Sequence, residues 1–308
     1  MEEEDIEMGQ GGRNGGRWSH RSGVSSMMIS SAAYSVMGLL VKILAVKSFP
    51  SSQIVAARCG IVALLSGLEL RRMKYPLLGS AAARQLVISR AIVGFVALST
   101  YFYSIQVLPL RDATILNFTM PVFTAILATF LLHESWGIYD ITGTLFSFLG
   151  VLLVIQPQNL VTDACLGVAM AMVGASTGAL SYIIIRMVGK HGEPPAVCVF
   201  AFAAFSAPMA LFAMLFQGWK RPGVIETLEL CGVGLSAYAA QIFLTRGLQL
   251  EKAAKATSMQ YVKVVCSYVL GVVFLGERPS LQGAIGAVLI TCSAAFVSGK
   301  ESTKTHPK

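Results

Sequence analysis

Apolar runs of roughly twenty residues follow one another along almost the whole chain. A hydrocarbon core about 30 Å thick is crossed by about 20 helical residues, so each run is long enough to span a membrane. The mean hydropathy of +0.66, with 55% hydrophobic and 13% charged residues, is too apolar for a water-soluble domain. Ten candidate spans lie at 25–46, 52–70, 86–108, 113–132, 141–156, 166–187, 196–216, 228–248, 256–275 and 281–298. Because lipid requires backbone groups to be satisfied within a helix, the sequence predicts an all-α polytopic membrane protein with ten transmembrane helices.

Polar tails and short loops set the expected orientation of these spans. Residues 1–24 are acidic and then rich in Gly and Arg, and residues 299–308 are basic, so both tails are predicted to be disordered. Fifteen Lys and Arg residues fall on the side of the tails, five on the other side and four within spans. The positive-inside rule therefore predicts cytoplasmic termini, in a plasma membrane or an endomembrane. This distribution accounts for the net charge of +8 without a nucleic-acid partner.

An internal repeat divides the chain into two halves. The stretch "LLHESWGIYDITG" at 131–143 matches "FLGERPSLQGAIG" at 274–286, and the matching anchors are Glu and Gly instead of common apolar residues. Each half holds five spans, and an odd number of crossings inserts the second half upside down relative to the first. The sequence therefore predicts two inverted five-helix repeats, at 25–156 and 165–298.

The repeated segment resembles a known family. The stretch "LPLRDATILNFTMPVFTAILATFLLHESWGIYDITGTLFSFLGVLLVIQP" is similar to the signature hairpin of EamA-type members of the drug/metabolite transporter superfamily, and "QYVKVVCSYVLGVVFLGERPSLQGAIGAVLI" is its second copy. The resemblance covers about residues 25–298 and is stronger to the eukaryotic, solute-carrier-35-like branch. It implies ten helices, inverted halves and a central cavity, but no substrate. The chain departs from the pattern where Val264 takes the position of Pro121, so the two helices are expected to bend differently.

Two equivalent polar stripes indicate where a solute would bind. At an offset of 143 residues, Asn117 matches Gln260 and Thr124 matches Ser267, and Lys263 stands in the middle of the second stripe. The spacing i, i+3, i+7 puts each stripe on one face of its helix. Stripes of this kind near the axis that relates two inverted repeats predict a substrate site between them.

Lys263 and Arg58 are cations deep within their spans. They lie seven and six residues from the nearer span ends, and all sixteen Asp and Glu residues lie in tails, loops or span ends. At about 1.5 Å per residue both are roughly 10 Å deep, where a cation costs at least about 2.5–3.5 kcal/mol. We interpret both as residues that face a watery cavity and bind an anion, Arg58 through its planar fork and Lys263 as a point charge.

Charged residues near the span ends have possible roles other than binding a solute. Lys42 and Arg90 each lie four residues from a span end, so they are interpreted first as snorkelling or packing charges, and Lys42 is retained as a candidate ligand. Glu134 and Glu277 are expected to cap or neutralise helix-end turns.

Aromatic residues of the third span complete the candidate set. Tyr101 and Tyr103 are candidates to line the cavity, with packing as the alternative role. Arg58, Lys263, Lys42, Asn117, Thr124, Gln260, Ser267, Tyr101 and Tyr103 together form the predicted substrate site.

The remaining reactive residues do not indicate an enzyme. The four histidines lie in tails or loops, and the six cysteines form no close pair, so neither a catalytic set, a metal site nor a cofactor is predicted. The sequence therefore predicts a secondary transporter of a small, anionic organic metabolite that works by alternating access. Amino acids, purines or nucleotide sugars remain alternative substrates, and a non-transporting membrane scaffold or regulator remains the alternative class. A homodimer is left open.

Overall fold

The computed structural model describes residues 12–108, 110–134, 137–155, 165–276 and 281–299, and within these ranges the regular structure is entirely helical. A 3₁₀ turn, Met259–Tyr261, joins two of the helices. The helices are α1 (Gly12–Val46), α2 (Ser51–Arg72), α3 (Arg84–Val107), α4 (Leu110–Asn117), α5 (Met120–Leu132), α6 (Ile138–Ile155), α7 (Cys165–Lys190), α8 (Pro195–Gln217), α9 (Val224–Leu250), α10 (Ala253–Ser258), α11 (Val262–Leu275) and α12 (Leu281–Gly299).

The outer surface of the bundle has the apolar character that lipid requires. Seven described stretches are long and apolar enough to cross a membrane, and Ile141–Ile155 and Leu281–Phe296 are shorter apolar helices. Large apolar side chains such as Phe130 and Leu215 are more than 70% exposed, at 72% and 76%. A water-soluble protein rarely exposes so many large apolar groups, so the chain is an integral multi-pass membrane protein. The count of ten spans stays a prediction.

Two membrane helices are interrupted at equivalent positions. The first breaks at Phe118 and Thr119, between α4 and α5, and the second breaks at Met259–Tyr261, between α10 and α11. Phe118 and Tyr261 are 143 residues apart, and the Tyr261 hydroxyl donates a hydrogen bond of 2.9 Å to the Phe118 carbonyl. The two interruptions are therefore in direct contact.

Val264 stands in the place of Pro121, and the two breaks differ in kind: Phe118 and Thr119 form a turn, whereas Met259–Tyr261 forms a 3₁₀ turn. The expectation that the two helices bend differently stays a prediction.

The second helix breaks at the equivalent position without a proline. The Thr257 hydroxyl donates to the carbonyls of Ala253 and Ala254, at 2.9 and 3.1 Å, in the turn before the break. Such bonds often bend helices, but those of Ser66 and Thr129 lie within unbroken helices, so the bond alone does not produce the break.

The two halves are interleaved. The main packing partners are α1 with α9, α3 with α7, α2 with α8 and α6 with α12, and α5 also packs on α7 as α11 packs on α1. If the halves are exchanged, α1 takes the place of α7 and α3 the place of α9, so α1–α9 and α3–α7 become the same contact. The α5–α7 and α11–α1 contacts are related in the same way. The packing therefore has the pattern expected for two repeats related by a two-fold axis.

Small residues let α6 and α12 approach closely. A Cβ atom on Gly286 would lie 2.6 Å from the Gly150 carbonyl oxygen, and one on Gly150 would lie 2.8 Å from the Gly286 carbonyl oxygen. Nearby, the Ser293 hydroxyl donates to the Gly143 carbonyl at 2.6 Å and lies 2.8 Å from the Ser147 hydroxyl. Backbone contact and buried hydroxyl bonds of this kind hold membrane helices together where the hydrophobic effect contributes little.

Candidate functional site

A cavity of about 170 Å³ lies at the centre of the bundle, with walls contributed by both halves. Its lining combines cationic, aromatic and amide side chains with the small residues Gly94, Gly174 and Gly178, which leave space for it. No Asp or Glu lines the cavity among the residues that the structure describes. The polar lining residues are Tyr34, Arg58, Arg90, Tyr101, Asn117, Ser181, Tyr182 and Gln241.

Arg90 places a buried positive charge against this cavity. The residue is 4% exposed, and its Nε and Nη1 atoms form no hydrogen bond with the described part of the chain. Its guanidinium carbon lies 4.8 Å from the centroid of the Phe202 ring. A Cβ atom on Gly94, one turn further along α3, would collide with Nη1, so the glycine makes room for the guanidinium beside the helix. Arg90 therefore lines the cavity with an aromatic partner, Phe202, and with two N–H donors that no described residue accepts.

Arg58 supplies a second cation from α2. Its half-buried side chain lines the central cavity and also a small neighbouring cavity of about 10 Å³, which Phe202 and Gln241 line as well. The side chains of Arg58 and Arg90 thus line the same cavity as Phe202 and Gln241. With no carboxylate in the described lining, the electrostatic character of the site is positive, which favours an anionic ligand.

The structure brings four of the predicted site residues to the cavity or its wall. Arg58, Tyr101 and Asn117 line the cavity. Gln260 is 6% exposed and lies behind the wall, where its side-chain oxygen accepts a hydrogen bond of 3.3 Å from the hydroxyl of Tyr182, a lining residue. The two polar stripes therefore meet the cavity through their first residues, Asn117 and Gln260.

The structure places the other five predicted residues outside the lining. Thr124 is fully buried, and its hydroxyl donates 2.9 Å back to the Met120 carbonyl within α5. Ser267, Tyr103 and Lys42 have exposed side chains on the surface of the bundle. The later position of each stripe, Thr124 or Ser267, thus lies outside the cavity lining.

Lys263 is the fifth of these residues. Its Nζ lies 4.8 Å from the centroid of the Phe118 ring, and its own carbonyl accepts a hydrogen bond of 2.9 Å from Ser35. A cation over an aromatic face gains about 0.5–2 kcal/mol, so the ring partly offsets the cost of the buried charge. The lysine therefore has a partner that does not belong to the cavity lining.

We expect Lys263→Met to lower solute uptake less than tenfold, because the substitution removes a contact with Phe118 and no group that lines the cavity. Uptake into proteoliposomes, normalised to the amount of folded protein, measures the effect. A loss as large as that caused by removal of Arg90 would instead make Lys263 a direct ligand.

Arg90, Gln241, Tyr34 and Tyr182 belong to the lining, and sequence reasoning missed them. Arg90 was interpreted as a snorkelling charge because it lies near a span end, and distance from the end does not tell which way a side chain turns. A usable signal was the glycine four residues later, which leaves room for a long side chain on the same face of α3.

An ion pair and two hydrogen bonds join helices at one end of the bundle, where α5, α7 and α9 end. Arg186 Nε lies 3.0 Å from Glu134 Oε1, and Arg186 Nη1 donates 2.6 Å to the Gln249 carbonyl. The other carboxylate oxygen of Glu134 accepts a hydrogen bond of 2.9 Å from the Ala253 amide, at the start of α10. The expectation that Glu134 caps a helix end is thereby confirmed, and Glu277 lies outside the described residues.

A second group of polar contacts joins the two halves of the chain at the opposite end of the bundle. Lys47 Nζ lies 2.7 Å from Glu229 Oε1 and 3.9 Å from Glu226 Oε1, joining the end of α1 to the start of α9. The amide of Gln53 pairs with the backbone of Lys220, donating 2.8 Å to its carbonyl and accepting 3.1 Å from its N–H. Both ends of the cavity are therefore bordered by contacts that join the two halves.

In the loop between α2 and α3, partial burial and a hydrogen bond with Glu193 raise the pKa of the Tyr75 hydroxyl. The other Glu193 contact, a hydrogen bond of 2.9 Å from the Ser80 amide, also ties this loop to the connection between α7 and α8. The loop is thus held to the second half of the chain at the end where Glu134 lies.

Comparison with known proteins identifies relatives that match nearly the whole chain. The profile of the EamA-like transporter family matches residues 21–156 and 165–299. Over 298 residues the chain is 27% identical to solute carrier family 35 member G1 of Homo sapiens, across 92% of this chain and 81% of that protein. Over 285 residues it is 28% identical to the pseudopaline exporter CntI of Pseudomonas aeruginosa, across 90% and 96%.

One solved structure has the same fold. It superposes with a TM-score of 0.77 over 92% of this chain and 99% of its own, at 17% sequence identity. The likeness at that level of identity concerns the fold alone.

Proposed function

The chain belongs to the EamA-like transporter family, and on that premise we propose that it carries a small organic anion across the membrane through its central cavity. The family and the relatives make it a membrane transporter of a small molecule. The charge of the solute, its route and the mechanism are our proposal.

The observation that carries the proposal is the pair of arginines in a cavity whose described lining has no carboxylate. Retaining an uncompensated cation within a membrane costs at least about 2.5–3.5 kcal/mol, so such residues usually serve a solute or ion pathway. A guanidinium presents donors in a planar fork that matches a carboxylate or phosphate. Arg90, with two donors that lack a partner among the described residues, is the principal ligand in this proposal and Arg58 the second.

The cavity and its lining favour a small organic acid among the alternatives. A cavity of about 150 Å³ accommodates benzene, so 170 Å³ is enough to hold a small organic acid. An amino acid would place its ammonium group beside two arginines, with no carboxylate in the described lining to receive it. A carboxylate of low molecular mass meets both constraints.

Alternating access follows from the symmetry of the packing. Two inverted repeats exchange an outward-open and an inward-open state when one set of helices rocks against the other around a fixed site. The symmetric contacts α1–α9 and α3–α7 border the cavity and would exchange roles in this motion. With ten spans and cytoplasmic termini, the Glu134 group lies on the cytoplasmic side and the Lys47 group on the other.

Glu134→Gln is expected to weaken the cytoplasmic closure, because the Arg186 guanidinium, with a side chain only 15% exposed, loses its carboxylate partner. Removing one partner of a buried ion pair lowers the free energy of unfolding by on the order of 3 kcal/mol, so the melting temperature should fall. Labelling of Ser181→Cys, in the cavity wall, by a membrane-impermeant thiol reagent added to inside-out vesicles should become faster.

Glu226→Gln is the matched control for this variant. It removes the longer of the two Lys47 contacts, at 3.9 Å and with a more exposed carboxylate, so its effect on stability should be within about 1 kcal/mol. Unchanged labelling in Glu134→Gln would mean that this ion pair does not hold the cavity closed.

Uptake of radiolabelled solutes by proteoliposomes tests the proposed function. The panel should contain small monocarboxylates and dicarboxylates, neutral sugars, amino acids, purines and a nucleotide sugar. We expect saturable uptake of one or more carboxylates and competition among them. Saturable uptake confined to neutral or cationic solutes would reject the anion proposal, and no uptake of any class would favour a non-transporting role.

A further inference from the structure

Gln241 lines the cavity together with the two arginines and has an acceptor without a donor among the described residues. It occupies the middle of α9 and is 6% exposed, yet it lines both the central cavity and the small cavity beside Arg58. Its side-chain oxygen accepts no hydrogen bond from any described residue. Buried amide oxygens are nearly always satisfied, so an unsatisfied one in a cavity wall calls for a ligand.

The groups around the Gln241 amide limit which hydrogen-bond donor its oxygen can accept. Arg58 and Arg90 line the same cavity and carry only donors, which favours the carbonyl oxygen of the glutamine on their side and not its NH₂ group. An anionic group bound to Arg90 brings further acceptors and therefore cannot satisfy the Gln241 oxygen. The missing donor therefore comes from a water molecule or from a second functional group of the solute that displaces it.

We propose that Gln241 is a specificity-determining residue that selects organic anions carrying a neutral hydrogen-bond donor, such as a hydroxyl group, near the charged group. This inference rests on the proposed function and deepens it. A cationic donor is disfavoured because no carboxylate lines the described part of the cavity beside the two arginines. The cavity volume of about 170 Å³ accommodates a small hydroxylated acid.

Matched pairs of acids that differ by one hydroxyl test the inference. Uptake of labelled malate is compared with succinate, and lactate with propionate, in proteoliposomes that contain the full chain. For at least one pair we expect the wild-type protein to prefer the hydroxylated acid by about tenfold or more, because a site built to bond a hydroxyl disfavours the analogue without it. In Gln241→Met, which keeps the size of the side chain and removes the acceptor, the ratio should fall close to one.

Thr245→Val is the matched control on the same helix. Thr245 is one turn further along α9, is fully buried and does not line the cavity, so its substitution should leave the ratio near that of the wild type. Gln241→Glu gives a second test, because an added negative charge beside Arg58 and Arg90 should reduce uptake of both members of each pair.

The outcomes separate this inference from the function on which it rests. Saturable uptake of both members of every pair without preference would overturn the role of Gln241 and leave the anion proposal standing. If Gln241→Met lowered the uptake of both acids of a pair equally and kept the wild-type ratio between them, the inference would also be overturned. Gln241 would then be a residue that only positions the arginines. Absence of uptake of any organic acid by the wild type would reject both proposals.

Discussion

Arg90→Gln is expected to reduce uptake of organic anions by ten- to a hundredfold or more while the folded protein stays at least as stable as the wild type. A charge-assisted contact contributes about 1.5–3 kcal/mol to binding, and Arg90 is a buried cation whose Nε and Nη1 form no hydrogen bond with the described residues. Its charge is buried without a carboxylate in the described cavity lining, so removing it relieves a desolvation cost. Uptake and melting temperature, measured on the same preparation, test both parts.

Arg84→Gln is the control for this variant, because it makes the same change on the same helix at an exposed position before the cavity begins. Arg90→Lys adds a finer comparison, since it keeps the charge and loses the planar fork, so an intermediate loss is expected. Normal uptake of every organic acid by a stable Arg90→Gln protein would remove the main support for an anion site.

Gly286→Val is expected to lower the melting temperature and the yield of folded protein more than any substitution in the cavity. The first added carbon would lie 2.6 Å from the Gly150 carbonyl oxygen, and a backbone atom cannot swing aside as a side chain can. Overpacking typically costs about 1–3 kcal/mol, and here it would also separate the Ser293 hydroxyl from the Gly143 carbonyl, which it bonds at 2.6 Å. Thermal unfolding in detergent and chromatographic yield measure the effect.

Gly60→Val is its matched control, because a Cβ atom on Gly60 would meet nothing within 4 Å. The same change in a membrane helix should therefore be almost neutral at that position. If Gly286→Val were as stable as Gly60→Val, the close approach of α6 and α12 would not contribute to stability.

The sequence was most informative about features that depend on one property of a short segment, such as its hydropathy or its length. Helix-length apolar runs identified a multi-pass membrane protein, and the signature segments identified the family whose profile matches residues 21–156 and 165–299. Asn117 and Tyr101 were candidates from position and polarity, and both line the cavity. These inferences needed only the length, the period and the chemistry of short segments.

Sequence reasoning was least informative about which way long side chains turn. Lys263 and Arg90 are both cations in apolar helices, but the first faces the Phe118 ring and the second faces the cavity. Helix breaks decide part of this difference. The break before Lys263 contains no proline that would mark it in the sequence.

The interleaved packing has a consequence for the biosynthesis of the chain. Because α1 packs mainly on α9, α2 on α8 and α6 on α12, most first-half helices find their principal partners in a segment that is translated later. Until that segment is inserted, Arg58 and Arg90 lack the α8 and α9 groups, Phe202 and Gln241, with which they share the cavity wall. We therefore expect the first half to stay loosely packed beside the insertion machinery until α9 has been inserted. A chain truncated after residue 156 should then be degraded by membrane quality control.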